Sequence, residues 1–161
     1  MADSLSVLVC GATGQQGGAL ARLLMDKGHR VRAFVRKPDS PEAKELERFG
    51  AELAEGNFED VSTIEDAARG MDSVFIVATP FEAGTEAEVR HGVAAAEAAK
   101  AAGVGHLVYS SVANADKNTG IPHFDSKRKV EEHIEGLGSP YTIVAPVYFM
   151  ENLLAPGQPR S

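Results

Sequence analysis

The sequence predicts an α/β fold, a doubly wound parallel sheet with helices on both faces and strand order 3-2-1-4-5-6. Three observations carry that expectation. Short apolar runs alternate with longer helical patterns along the chain. The first run, Ser6–Cys10, is too short and too uniformly apolar for a half-exposed strand and reads as one buried on both faces. The first run empties into a glycine-rich turn that leads directly into a helix.

The first strand is read at Ser6–Cys10, followed by a helix over Gln16–Lys27 with Leu20, Leu23 and Leu24 at helical spacing and Gly28 closing it. Val31–Val35 is the second strand; Pro38 and Pro41 bracket a loop before a helix near Glu42–Phe49. A short strand at Ala51–Ala54 precedes a helix near Ser62–Arg69, whose start is assigned to a capping box of Ser62 and Glu65. Ser73–Val77 is the fourth strand, and Glu86–Ala102 a long alanine-rich helix ending at Gly103. His106–Ser110, a helix over Ser126–Glu135 and a strand at Tyr141–Ala145 complete the pattern. Parallel strands joined by helices need right-handed crossovers, and six strands supply both halves of such a sheet. One domain is expected over residues 1–154, with an irregular tail over 155–161.

Composition narrows the function classes. The 161 residues are 43% hydrophobic and carry a net charge of −7, against the basic stripe of a nucleic-acid surface. No apolar stretch is long enough to span a bilayer, and Met1–Ser4 lacks the marks of a signal peptide, so a cytoplasmic protein is expected. Cys10 is the only cysteine and reads as a buried, inert thiol. The scattered histidines have no ligand spacing, so no metal site is expected.

The turn Gly11-Ala12-Thr13-Gly14-Gln15-Gln16-Gly17 has the context of a dinucleotide phosphate loop. Gly11 permits the tight turn, Gly14 a close approach of the pyrophosphate, and Gly17 close packing of the helix. The helix N-terminus then presents free N–H groups to the phosphates. An NAD-specific domain would place a carboxylate at the end of the second strand; here Val35 is followed by Arg36 and Lys37. A guanidinium grips a 2′-phosphate with paired charge-assisted hydrogen bonds. NADP(H) is therefore expected ahead of NAD(H), with Arg36 as first contact and Lys37 in support.

Five segments carry a family resemblance: GATGQQGG (Gly11–Gly18), VRAFVRKP (Val31–Pro38), AAKAAGVGHLVYSSV (Ala98–Val112), IPHFDSKRKVEEHI (Ile121–Ile134) and PYTIVAPVYFMEN (Pro140–Asn152). Together they resemble the NmrA-like family of atypical short-chain dehydrogenases/reductases. The resemblance implies a Rossmann domain that binds NADP(H), in redox-sensing regulators with protein partners or in reductases of quinones, dyes or phenolic compounds. It further implies that Gly11, Thr13, Gly14, Gln15, Gln16 and Gly17 form the phosphate loop, with Arg36 at the ribose phosphate. By the same carry-over, Asn57 and Phe58 meet the adenine, and Ala78, Thr79 and Pro80 line the nicotinamide side. Ser110 ends the fifth strand, Lys127 binds the nicotinamide ribose, and Pro146, Val147 and Phe149 flank the nicotinamide. Two features depart from the pattern. Ala145 stands where the family commonly has arginine, and relatives continue past Asn152 into a substrate-binding lobe that is largely absent here. A fragment and a minimal form are both compatible with that ending.

Short-chain dehydrogenases place a tyrosine four residues before a lysine; here the spacing reads His123-Phe124-Asp125-Ser126-Lys127. His123 and Lys127 share a helical face only if the helix already includes His123. Histidine can serve as a general acid near neutral pH, but a loop histidine that merely caps or contacts cofactor is the preferred reading of His123. Lys127 is read as a ribose ligand against an exposed lysine of the run Lys127–Lys129. Tyr109, Tyr141 and Tyr148 read as structural, His91 as solvated, and Glu82, Glu86 and Glu88 as a helix start favoured by the dipole. Two function classes follow. The preferred one is a redox-responsive NADP(H) sensor whose occupancy moves the loops at Arg36–Pro41 and Pro80–Thr85 and so alters affinity for a protein partner. The alternative is an NADPH-dependent oxidoreductase acting on a small aromatic or quinone substrate. Neither reading involves nucleic acid or membrane, and both admit a homodimer.

Overall fold

The computed structural model describes residues 3–79 and 83–153. Its single sheet holds six parallel strands in the order β3-β2-β1-β4-β5-β6. They are β1 (Ser6–Cys10), β2 (Arg30–Val35), β3 (Glu52–Glu55), β4 (Ser73–Ile76), β5 (His106–Ser110) and β6 (Tyr141–Val144). The helices are α1 (Gln15–Asp26), α2 (Pro41–Phe49), α3 (Val61–Ala68), α4 (Gly84–Ala101) and α5 (Pro122–Gly136).

The uniform apolarity of β1 is used on both faces. Leu8 and Cys10 join a core with Ile64, Ala95, Val130 and Ile134, beneath α3, α4 and α5. Val7 and Val9 join the opposite core with Ala21, Leu46, Val31 and Val35, beneath α1 and α2. Burial pushes the Cys10 thiol up to about 12, which fits an inert core residue. The edge strand β6 is different: Tyr141 and Val144 are each 42% exposed.

Three expectations are corrected. The start of α3 is set by Asp60, whose carboxylate accepts from the Ser62 backbone N–H at 3.1 Å, so Ser62 lies inside the helix and the Ser62–Glu65 capping box does not form its N-cap. The helix expected from Ser126 begins four residues earlier, with Pro122 at its first position. Proline lacks an N–H that would in any case find no helical partner there, so it initiates rather than breaks. His91 is not solvated: its ring stacks on Phe58 at 5.3 Å, and its Nε2 lies 2.7 Å from Glu59.

Candidate dinucleotide site at the switch point of the sheet

β1 pairs with β2 on one side and with β4 on the other, so the chain reverses direction across the sheet at the C-terminal end of β1. Open α/β sheets bind ligands at such a point. Gly11 leaves the strand at φ +72°, and a Cβ on it would lie 2.5 Å from Val77 Cγ1. On Gly17 a Cβ would lie 2.1 Å from the Gly11 carbonyl oxygen, which is why α1 can start so close beneath the turn. Gly14 caps α1 without a side chain, the first turn holds no acidic residue, and Gly18 N–H closes onto Gly14 O at 2.8 Å. The amides of Gln15, Gln16 and Gly17 thus form the open, positive end of the helix. Thr13, Gly14 and Gln15 are exposed around it.

The other predicted residues rim the same end of the sheet. Arg36 and Lys37 are exposed just past β2, whose Phe34 pairs with Cys10. Asn57 and Phe58 follow β3. The Asn57 side-chain oxygen accepts from Glu59 N at 2.7 Å and Asp60 N at 3.1 Å, so it shapes the turn into α3. Phe58 is half-buried, edge-on to Phe34 and stacked on His91. Ser110, buried at the end of β5, donates its hydroxyl to Gln16 Oε1 at 2.8 Å and so ties α1 to a strand two places away from β1. Pro146 receives Ala113 N–H on its carbonyl at 3.0 Å, and Phe149 is half-buried beyond it. Pro80 lies outside the described residues, as do Glu82 and the tail over 155–161.

Lys127 is not a surface lysine. Its ammonium donates to the Ala78 carbonyl at 2.5 Å and the Ser110 carbonyl at 3.4 Å, and pairs with Glu88 Oε1 at 2.8 Å. Ala78 and Ser110 follow and end the adjacent strands β4 and β5, so the cation stands over the C-terminal rim. Glu88 has no exposed surface, and its second oxygen accepts from the Ser126 hydroxyl at 2.5 Å. This corrects the reading of Glu88 as a dipole-favoured helix start, a place taken by Glu86 in the first turn. The signal was present in the sequence: Glu88 shares a helical stripe with Gly92, Ala95 and Ala99, the face that the helix buries. Alongside, the Ser111 hydroxyl donates to Glu131, whose other oxygen pairs with Arg128 at 3.0 Å.

α5 does include His123, which puts it one turn before Lys127. Its imidazole packs edge-on to Phe124 at 4.6 Å, while the Lys127 ammonium turns to the strand ends. Tyr109 is fully buried in the core, as expected, and burial pushes its phenol well above the usual tyrosine range, with Glu88 and Glu131 adding to the effect. No group of metal-ligating side chains occurs among the described residues, and none of their helices is long and apolar enough to cross a membrane.

The NmrA-like family model matches residues 3–160. An NmrA-like family domain-containing protein of Dictyostelium discoideum is 33% identical over 169 residues, covering 98% of this chain and 55% of the relative. An NAD(P)H azoreductase of Xenophilus azovorans is 33% identical over 148 residues, covering 92% of this chain and 50% of the relative. The Citrobacter sp. triphenylmethane reductase complexed with NADP(H) superimposes with a TM-score of 0.83 at 25% identity, over 92% of this chain and 51% of that one. The negative transcriptional regulator NmrA in complex with NADP gives 0.78 at 31% identity, over 89% and 45%. The chain spans about half the length of the relatives it matches.

Proposed function

The chain belongs to the NmrA-like family, and we propose that it is the dinucleotide-binding part of an NADPH-dependent reductase of quinone-, dye- or phenolic-type acceptors. The observation that carries this reading is the position of Lys127, a buried cation fixed over the ends of β4 and β5, beside a phosphate turn that faces the same rim. In this assignment the amides of Gln15, Gln16 and Gly17 hold the pyrophosphate, and Arg36 with Lys37 holds the 2′-phosphate. Asn57 and Phe58 border the adenine, while Ala78, Thr79, Pro146 and Phe149 wall the nicotinamide side. Lys127 offers its third N–H, only weakly used at 3.4 Å from Ser110, to a ribose hydroxyl. The bound nicotinamide supplies hydride, and the protein supplies orientation and charge. His123 is the nearest candidate proton donor in sequence, and an acceptor that is itself easily reduced needs little acid catalysis.

The reductase reading is preferred to the sensor reading because an azoreductase and a triphenylmethane reductase are among the similar proteins. The regulator NmrA keeps the sensor as the competing outcome. Calorimetric titration with NADP+, NADPH, NAD+ and NADH, followed by NADPH oxidation with quinone, azo-dye and triphenylmethane acceptors, separates them. Micromolar NADP(H) binding with acceptor-dependent oxidation is expected. Tight binding without oxidation by any acceptor would return the assignment to a sensor, and absence of binding would end both.

A further inference from the structure

Glu88 is the one charged side chain that α4 buries completely; the rest of its buried face is alanine and glycine. A buried carboxylate is costly, and pairing it with a lysine barely repays the desolvation relative to an apolar pair of similar volume. Packing alone therefore gives no reason for it. The pair lies at the end of the sheet where the nicotinamide is assigned, and its carboxylate is the only one in ion-pair contact with the Lys127 ammonium among the described residues. Glu131, one turn on from Lys127, is matched by Arg128 and by the Ser111 hydroxyl. The Ala78 and Ser110 carbonyls orient the ammonium without cancelling its charge.

We propose that Glu88 is a positioning residue that sets the redox preference of the site, cancelling the Lys127 charge so that the oxidised, cationic nicotinamide is held without electrostatic penalty. This rests on the dinucleotide reading above. The two cofactor forms differ by one positive charge on the ring, so an uncompensated ammonium nearby raises the free energy of NADP+ and leaves NADPH nearly unaffected. Ser126 keeps the carboxylate aimed by bonding its second oxygen at 2.5 Å.

The test is the ratio Kd(NADP+)/Kd(NADPH), measured by calorimetry at pH 6.5, below the ordinary lysine range. Glu88→Gln keeps the shape of the side chain and removes its charge. A partly solvated neighbouring charge is expected to raise the ratio about three- to tenfold. Glu88→Gln with Lys127→Met restores the charge balance, and its ratio is expected within about threefold of the parent. A purely structural role would weaken both forms alike and leave the ratio unmoved. A folded Glu88→Gln variant whose ratio changes less than about threefold overturns the proposal. Should that variant not fold, Lys127→Met and the double variant decide together: the carboxylate left uncompensated in Lys127→Met is expected to put its ratio about threefold or more below that of the double variant, and equal ratios overturn the proposal. A parent chain that binds neither form refutes the dinucleotide reading itself, a different result from an unchanged ratio.

Discussion

A Cβ on Gly17 would stand 2.1 Å from the Gly11 carbonyl oxygen, so the first turn of α1 and the turn out of β1 share space that only glycine leaves open. The obstacle is backbone, which cannot rotate away as a side chain could. Gly17→Ala is therefore expected to destabilise the domain by about 2–3 kcal/mol, at the upper end of overpacking costs. It should also move the α1 amides off the phosphate position. Urea unfolding gives the first effect and NADP(H) titration the second; a variant with parent-like stability would show that the contact is not rigid.

Arg36 follows the last residue of β2 and faces solvent beside the phosphate turn. A hydrogen bond to a charged group contributes about 1.5–3 kcal/mol. Arg36→Ala should thus weaken NADP(H) binding roughly ten- to a hundredfold while NAD(H) binding changes little. The signature is the NADP/NAD ratio rather than either affinity. Equal losses for both dinucleotides would place Arg36 away from the 2′-phosphate.

The alternation of strands and helices made the strand order legible, and the strand-to-helix turn showed its own glycines; both are patterns along the chain. The glycine turn needs Gly11, Gly14 and Gly17 within one strand-to-helix step, and β1 announces its two-sided burial by running apolar from Val7 to Cys10 without alternation. The site beyond that turn depends on pairings between distant segments. Nothing near Glu88 in sequence marks Lys127 as its partner, because α4 and α5 meet only after β5 has been inserted between them in the chain. Element ends failed for a different reason. Pro122 was a usable start signal for α5, but the apolar periodicity becomes visible only at Val130 and Ile134, deeper in the helix. The exposed side of β6 was hidden because an edge strand can carry the same apolar letters as a central one.

Alkaline stability should bear the mark of Cys10. Burial raises its thiol from 9.0 to about 12 in the folded state. The folded value lies above the unfolded one, so this contribution to stability is intact below pH 9 and is lost progressively as pH rises towards 12. The slope from one such group is about 1.4 kcal/mol per pH unit. Tyr109, whose phenol is shifted in the same direction, adds to the loss. Denaturant midpoints measured across that window should fall less steeply in Cys10→Ala than in the parent. Parallel slopes would mean that the thiol ionises no later folded than unfolded.

Tyr109 has a fully buried ring and a hydroxyl with no hydrogen-bond partner among the described residues. An unsatisfied buried hydroxyl costs about 1–3 kcal/mol, whereas its ring contacts survive replacement by phenylalanine. Tyr109→Phe is expected to leave stability unchanged or raise it by about 1 kcal/mol, read as an increase in Tm. A loss of similar size would demonstrate a hydrogen bond made by the phenol.

The buried Lys127–Glu88 pair and the exposed Arg69–Glu65 pair have nearly the same length, 2.8 Å and 2.9 Å, and should differ widely in what their disruption costs. Arg69 is 64% exposed, so its loss leaves Glu65 to water, and Arg69→Ala should cost less than about 1 kcal/mol. Lys127→Met strands a carboxylate with no exposed surface and only the Ser126 hydroxyl to meet it. That penalty is about 3–5 kcal/mol. Adding Glu88→Gln removes the stranded charge while keeping a partner for Ser126, so the double variant should recover at least about 1 kcal/mol over Lys127→Met alone. A destabilising effect of Lys127→Met no larger than that of Arg69→Ala would mean that the carboxylate finds water or another cation in the folded protein. The double-mutant cycle thus separates a buried, mutually dependent pair from two independently solvated charges.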